Sequence, residues 1–559
     1  MKKTISILIL LAIAISLVAG CGNHDTFGDG ARWDIPTATV SPSPATEAVL
    51  PSLSAEIRRS APVLHDAMFS FEAAEDGMFD DDDWRFVPFT ESDEFAVARE
   101  STFRDVRTSP LSTFSVSVNT ASYSIMRRQI MSGREPNGIR IEELINYFDY
   151  DYMAPLPGSE HPFSIFTEVA ASPWSPGHLL AKVAIQGVRL QNTEDIANNV
   201  VFLIDVSGSM NRPDRLPLVI DSMNLLLDQL NENDVISIIT YAGTEQILAD
   251  SVPGSEREKL SQIINGLRAE GSTAGGQALR QAYELASRNF IEGGNNRIIL
   301  ATDGDFNVGE RTVDDMINLI ESYRDRGIYI SVLGYGMGNL NDRMMEAIAA
   351  HGNGNYAYID TIQEARRVLV YEFDSTMFTI ANDVRIQVEF NPEIVAAYRL
   401  IGYDTRRMEN EDFNNESVNA GDIGSGHNVT AFFELIPVGV ESGDNLVDPL
   451  RYSTIVTTGS DEYMVVRVRY VAPGEDESRL IERVVGAEDF RGSYDVSDNF
   501  LFASAVAEFG LIITDSQYRG YSSLDSVLAR ASRGMGEDRF GLRSEFIDLV
   551  HRYAGIVNW

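Results

Sequence analysis

Residues 198–212 read NNVVFLIDVSGSMNR. The apolar run from Val200 to Ile204 stops at Asp205, and hydroxyls follow at alternate positions, Ser207 and Ser209. A short apolar run without polar alternation fits a strand covered on both faces, as in a parallel sheet. A buried strand ending on a carboxylate and two hydroxyls brings hard oxygen donors to one edge of that sheet.

Outward from this strand, strand and helix signals alternate to about residue 380. A helix over 216–230 is followed by the strand DVISIITYA and a short edge strand, TEQILADSV. Helices over 256–267 and 276–290 lead to the strand RIILATDGD. Then come a helix near 313–324, the strand IYISVLGYG, a helix from Asp342, the strand NYAYID, and a last helix over 363–378. Such alternation predicts an α/β fold, a doubly wound, mostly parallel sheet with helices on both faces.

Ligands of open parallel sheets bind outside the carboxyl ends of strands, where the strand order reverses. Asp205, Ser207 and Ser209 lie just past one strand. Asp303, in LATDGD, lies just past another, and Thr273, in AEGSTAGG, stands in a Gly-rich loop opening a helix. Three hydroxyls and two carboxylates on three loops suit Mg²⁺, which favours octahedral oxygen coordination and one or two carboxylates. A position remains for an outside oxygen. Singly, each residue reads equally well as a helix cap or a turn. Their joint placement at three exits points to a metal. Asp305 stays outside this metal set.

The motif DVSGSM resembles the DxSxS of von Willebrand factor type A (VWA) domains, and Thr273 and Asp303 match the second and third loops of their metal-ion-dependent adhesion site. The resemblance implies a Rossmann-like fold with Mg²⁺ (or Mn²⁺ or Ca²⁺) at the switch point. It also implies a protein partner that supplies an Asp or Glu carboxylate to the metal. PLSTFSVSVNTASYS and IRIEELINYFDYDY upstream, and DVRIQVEFNP through AVAEFGLIITDS downstream, resemble the flanks of YfbK-like bacterial lipoproteins. That likeness spans roughly residues 108–555. It departs at Asn137, where the pattern leads one to expect a second proline near REPNGIRIEEL.

The chain has 559 residues and a formal net charge of −38. Nucleic-acid binding needs a basic surface, so that class is set aside. One cysteine, Cys21, leaves no internal disulfide. Lys2 and Lys3, an apolar stretch to Val18, and small residues before Cys21 have the layout of a secretory signal over 1–20. LVAGC resembles a lipobox, which implies lipidation of Cys21 and a membrane-anchored protein of the cell envelope, facing the periplasm or the exterior. Residues 21–107, rich in Pro, Ser and acid, read as a tether. Such a tether would span about 50 Å at 5–6 Å times the root of its length. Its acidic run at 80–83 reads as solvated rather than Ca²⁺-binding, since no ligand loop surrounds it.

Residues 108–197 form an N-terminal flank, 198–380 the VWA domain, and 381–559 a β-rich domain closed by helices. Strands at 163–190 are too few to stand alone. They are expected to pair with later strands, so that the α/β domain is inserted in a β-sandwich.

Rival chemistries fare worse. Gly334, Gly336 and Gly338 lack the third glycine position of a dinucleotide fingerprint, which holds Asn339. No G-x-S-x-G marks Ser207 or Ser209 as a nucleophile, and no histidine spacing suggests zinc. The expectation is a non-enzymatic binding protein. The alternatives are a non-exchanging structural component of an envelope complex, or an accessory factor of a catalytic partner.

Overall fold

The computed structural model describes residues 85–88, 94–97 and 100–558, except 117–118, 192, 272–274, 305–312, 337–339, 417, 419, 441–457 and 476. The signal-like segment, Cys21, the acidic run at 80–83, Thr273 and Asp305 fall outside the described residues.

Six strands form the central sheet, in the spatial order Tyr356–Ile359, Ile328–Tyr335, Asn295–Thr302, Asn198–Asp205, Val235–Tyr241, Glu245–Pro253. Neighbours run parallel except the last pair, where the edge strand Glu245–Pro253 is antiparallel. From Asn198–Asp205 the chain builds first to one side. It then crosses over to lay Asn295–Thr302 on the other, so the order reverses between these two strands.

Both strands are buried along their whole length. Val200, Phe202 and Ile204 pack with the helix Leu216–Leu227, while Val201 and Leu203 pack on the opposite face with the helix Gly275–Arg288. Burial of each large apolar side chain contributes about 1.5–3 kcal/mol. This run therefore supplies the free energy that holds the carboxylate at its end inside the protein.

Two antiparallel sheets make up the rest of the β structure. One orders Arg407–Met408, Leu111–Ser115, Thr379–Phe390, Met464–Val471 and Ser478–Val485, with Gly421–Gly424 also on Thr379–Phe390. The other orders Arg104–Asp105, Val395–Ile401, Asn428–Pro437, Leu179–Gly187 and Phe163–Ala171. Each combines strands from before and after the central sheet, so the α/β domain is an insertion. Between them Phe114, Val183, Val388, Phe433 and Val466 share one core. Met464–Val471 alternates buried and half-buried residues, the period-two pattern of a strand with one covered face.

The helices Asp498–Ile513, Leu524–Arg533 and Leu542–Ile556 pack with the upstream helices Ala121–Met131 and Ile141–Ile145. Ala121 and Ile125 belong to the core of the central sheet instead, so the N-terminal flank joins the two bodies. Among the described residues no helix is long and apolar enough to cross a membrane.

Two readings need correction. The tether does not run to residue 107: Arg85–Pro88 pairs with Glu94–Val97, and Arg104–Asp105 joins the sandwich. Ser101 donates to Asp404 from its backbone N at 2.8 Å and its Oγ at 2.5 Å. Backbone pairing and side chain caps hold this segment, and neither leaves a hydrophobic period in the sequence. The last central-domain helix is broken into Ile362–Arg366, a π-helical turn Arg367–Tyr371, and Phe373–Met377. Buried Arg367 sits at that break, paired with Glu364 at 2.7 Å and Glu372 at 2.5 Å. At Asn137, where the resemblance leads one to expect proline, the backbone N–H donates to Gln129 Oε1 at 2.8 Å. Proline has no such donor.

Candidate metal centre

Asp205 closes its strand in register with Tyr241 of the neighbouring strand. Ile204 pairs with Ala301, which places Thr302 and then Asp303 beside Asp205 at the reversal point. Both carboxylates are fully buried, as is Ser207, and Ser209 is half-buried.

The first loop folds back on the carboxylate that precedes it. Ser207 N donates to Asp205 Oδ1 at 2.8 Å, and the Ser207 and Ser209 hydroxyls lie 2.9 Å apart. Alternate residues of the tight turn Gly208–Met210 thus point to one side. The second loop is stapled to the first: Glu270 N donates to the Val206 carbonyl at 2.7 Å, and Gly208 N to the Gly271 carbonyl at 3.0 Å. Gly271 has φ +84, and a Cβ there would fall 2.7 Å from the Ala242 carbonyl oxygen. The approach of this loop therefore requires glycine. Thr273, two residues on, lies outside the described residues.

Asp205 Oδ2 is buried and meets no hydrogen-bond donor in normal geometry. The Tyr241 hydroxyl is near enough to stabilise the ionised form. Burial pushes the Asp205 carboxyl up to about 6, against the hydrogen bonds from Ser207 that hold it down, and the Asp303 charge adds to the upward push. An acid raised this way gains from a nearby cation.

One cation is already at the centre. Arg215 Nη1 donates to Asp303 Oδ2 and, at 2.8 Å, to the Ser209 carbonyl. Arg215 was not among the expected site residues. Its signals are its place six residues after Ser209, at the start of a helix, and the LGYG turn, whose Gly336 leaves the side chain its room. A Cβ at Gly336 would lie 2.3 Å from Arg215 Nε. The glycines once open to a dinucleotide reading thus have local work: Gly336 has φ +68, and a Cβ at Gly334 would meet Met345 Sδ at 3.2 Å.

The donor set fits a hard divalent cation. It offers two serine hydroxyls, a carboxylate oxygen lacking its full complement, and a second carboxylate beside it. Among the described residues no group of three or more His, Cys, Asp or Glu side chains gathers to hold a metal. A cavity of about 470 Å³, lined by Arg297, Arg324 and Asp422 among others, lies at the amino end of Asn295–Thr302, away from this centre.

Three family models match the chain: "von Willebrand factor" over residues 89–182, "von Willebrand factor type A domain" over 199–368, and "Uncharacterized protein YfbK, C-terminal" over 375–556. YfbK of Escherichia coli (strain K12) is 40% identical over 466 residues, covering 81% of this chain and 80% of that protein. Human voltage-dependent calcium channel subunit alpha-2/delta-4 is 25% identical over 278 residues, 44% of this chain but only 23% of its own length. A solved structure of a von Willebrand factor type A protein from Catenulispora acidiphila aligns with a TM-score of 0.40 at 16% identity, covering 72% of this chain and 91% of that one. The VWA domain is a protein-interaction module, and such domains commonly bind a divalent metal. With its VWA domain and its matched C-terminal region, this chain belongs to the YfbK family of VWA-domain proteins.

Proposed function

We propose that the chain is a lipid-anchored protein of the cell envelope that binds a protein partner through a divalent cation in its VWA domain. Ser207, Ser209 and Thr273 coordinate Mg²⁺ through their hydroxyls. Asp205 and Asp303 supply negative charge, directly or through water. An Asp or Glu of the partner fills the remaining position, making a charge-assisted contact that chelators abolish. The lipid on Cys21 and the segment that follows hold this head at the membrane surface.

The observation that carries this reading is the gathering of Asp205, Ser207, Ser209 and Asp303 at the reversal point, with Asp205 Oδ2 buried and short of a donor. The test is calorimetric titration of Mg²⁺ and Mn²⁺ into EDTA-stripped protein. Saturable binding of one equivalent is expected, with at least a tenfold loss in Asp205→Ala and Ser207→Ala. Binding that both variants retain would remove the centre from these residues. Radiolabelled fatty acid should enter the wild-type chain and fail to enter Cys21→Ala; equal labelling would refute the anchor.

A further inference from the structure

Arg215 is 4% exposed, and its guanidinium reaches the same carboxylate that the proposed metal needs. Its position is built in from several sides. Its backbone N donates to the Arg212 carbonyl at 3.0 Å, and its own carbonyl accepts from Val219 N at 2.8 Å. The preceding residue, Asp214, is held at 2.5 Å by Arg128 of the upstream helix, whose Nη1 also donates to the Tyr358 hydroxyl at 2.7 Å. That hydroxyl donates in turn to the Gly336 carbonyl at 3.0 Å. Gly336, which has room for no Cβ, is the residue against which Arg215 lies.

Guanidinium stays charged at any pH a protein survives. Arg215 places one positive charge on a carboxylate that a divalent ion would also use. That charge opposes the incoming ion and, once the ion is bound, favours a carboxylate arriving from outside. Removing it makes the metal-bound centre one unit less positive. Charges in contact and out of water interact strongly, so this difference bears directly on affinity.

We propose that Arg215 is a tethered cation that shares Asp303 with the metal, weakens metal binding by the free protein, and so makes tight binding conditional on a carboxylate from the partner. This rests on the metal-centre reading above. Arg215 is here a positioning and affinity-setting residue and coordinates nothing itself. The arrangement makes metal and partner bind as a pair, because each supplies charge that the other lacks.

The test is titration of Mn²⁺ into the EDTA-stripped full chain at constant ionic strength. Wild type, Arg215→Gln and Arg215→Lys are compared, with and without acetate as the carboxylate probe. Arg215→Gln is expected to bind Mn²⁺ at least tenfold tighter than wild type when acetate is absent. Arg215→Lys, which keeps the charge, should stay within threefold of wild type. Acetate should tighten binding to wild type more than to Arg215→Gln. If Arg215→Gln binds as wild type does, or more weakly, the proposal is overturned while the metal centre stands. If wild type and both variants all fail to bind, the metal centre falls and the proposal with it. Circular dichroism checks that each variant folds. Arg215→Met, which keeps the apolar stem, takes the place of a glutamine variant that does not.

Discussion

Arg399 and Arg297 are both buried, at 1% and 2% exposed, but among the described residues only Arg399 meets a carboxylate. Its Nη2 lies 2.9 Å from Glu434 Oε2. Burial pushes the Glu434 carboxyl up, but the hydrogen bond from His178 and the Arg399 charge outweigh it and hold Glu434 at about 2. Arg297 donates to the Ser331 hydroxyl at 2.9 Å and lies 5.5 Å over the Tyr329 ring, with Nε unsatisfied. Removing one member of a buried ion pair costs about 3–5 kcal/mol, whereas a buried charge in contact with no opposite charge carries a desolvation cost that an apolar replacement removes. Arg399→Met is therefore expected to lower the unfolding free energy by about 3 kcal/mol or more. Arg297→Met should leave it within about 1 kcal/mol or raise it. Urea titration of both variants checks this contrast, and equal losses would contradict it. His178 still hydrogen-bonds Glu434 at 2.8 Å, which should keep the Arg399 loss from exceeding that range.

At the level of elements, the helix Ala121–Met131 does more than pad the sheet. Arg127 pairs with Asp360 at 2.5 Å, Glu364 at 2.8 Å and Glu545 at 3.1 Å. It thus ties the end of the last central strand to the broken helix and to Leu542–Ile556. Arg127→Met would leave the Asp360 carboxylate buried without its partner, a loss of about 3–5 kcal/mol, readable as a shift in urea midpoint. The LGYG turn offers a second test. Gly336→Ala meets both a positive φ and the Arg215 side chain, so a loss of at least about 1 kcal/mol is expected; an unchanged midpoint would refute the packing described. These contacts also mark what could be read without coordinates. The parallel sheet was legible because both-face burial leaves unbroken apolar runs such as VVFLI. The placement of Asp205, Ser207, Ser209 and Asp303 just at or past strand ends was legible because strand ends follow from those runs. Arg215 was not, since its role depends on a glycine far along the chain. Nor was the order within 85–105, where backbone pairing at Arg85–Pro88 and the bonds from Ser101 to Asp404 leave no periodic trace. The break at Arg367 arises from ion pairs that 3.6-residue periodicity does not record.

For the whole molecule, buried acids that form no ion pair among the described residues contribute to the pH response. Burial, with the Glu143 charge adding to it, raises Glu142 to about 7. Burial also raises Asp422 to about 7 and Asp404 to about 6. Each binds its proton more tightly folded than unfolded. The stability it lends is full below its unfolded value, about 4, and is lost as pH rises through 6 to 7. Glu434 behaves oppositely: its contribution is present above about 4.3 and is lost only as pH falls towards 2. In EDTA the melting temperature is therefore expected to fall between pH 5 and pH 8, and Glu142→Gln should flatten that fall. A melting temperature that rises across this interval would count against the buried state of these acids. The insertion described above has a further consequence, for synthesis. Gln186 pairs with Asn428, 242 residues later. At about 5–20 residues per second, the strand Leu179–Gly187 waits about 12–50 s for that neighbour to be made. Meanwhile the α/β insert can close on itself, but half of the sandwich stands with an unfilled edge. The nascent chain is therefore a natural client for a holding chaperone, and its most aggregation-prone moment comes after the α/β insert is already complete.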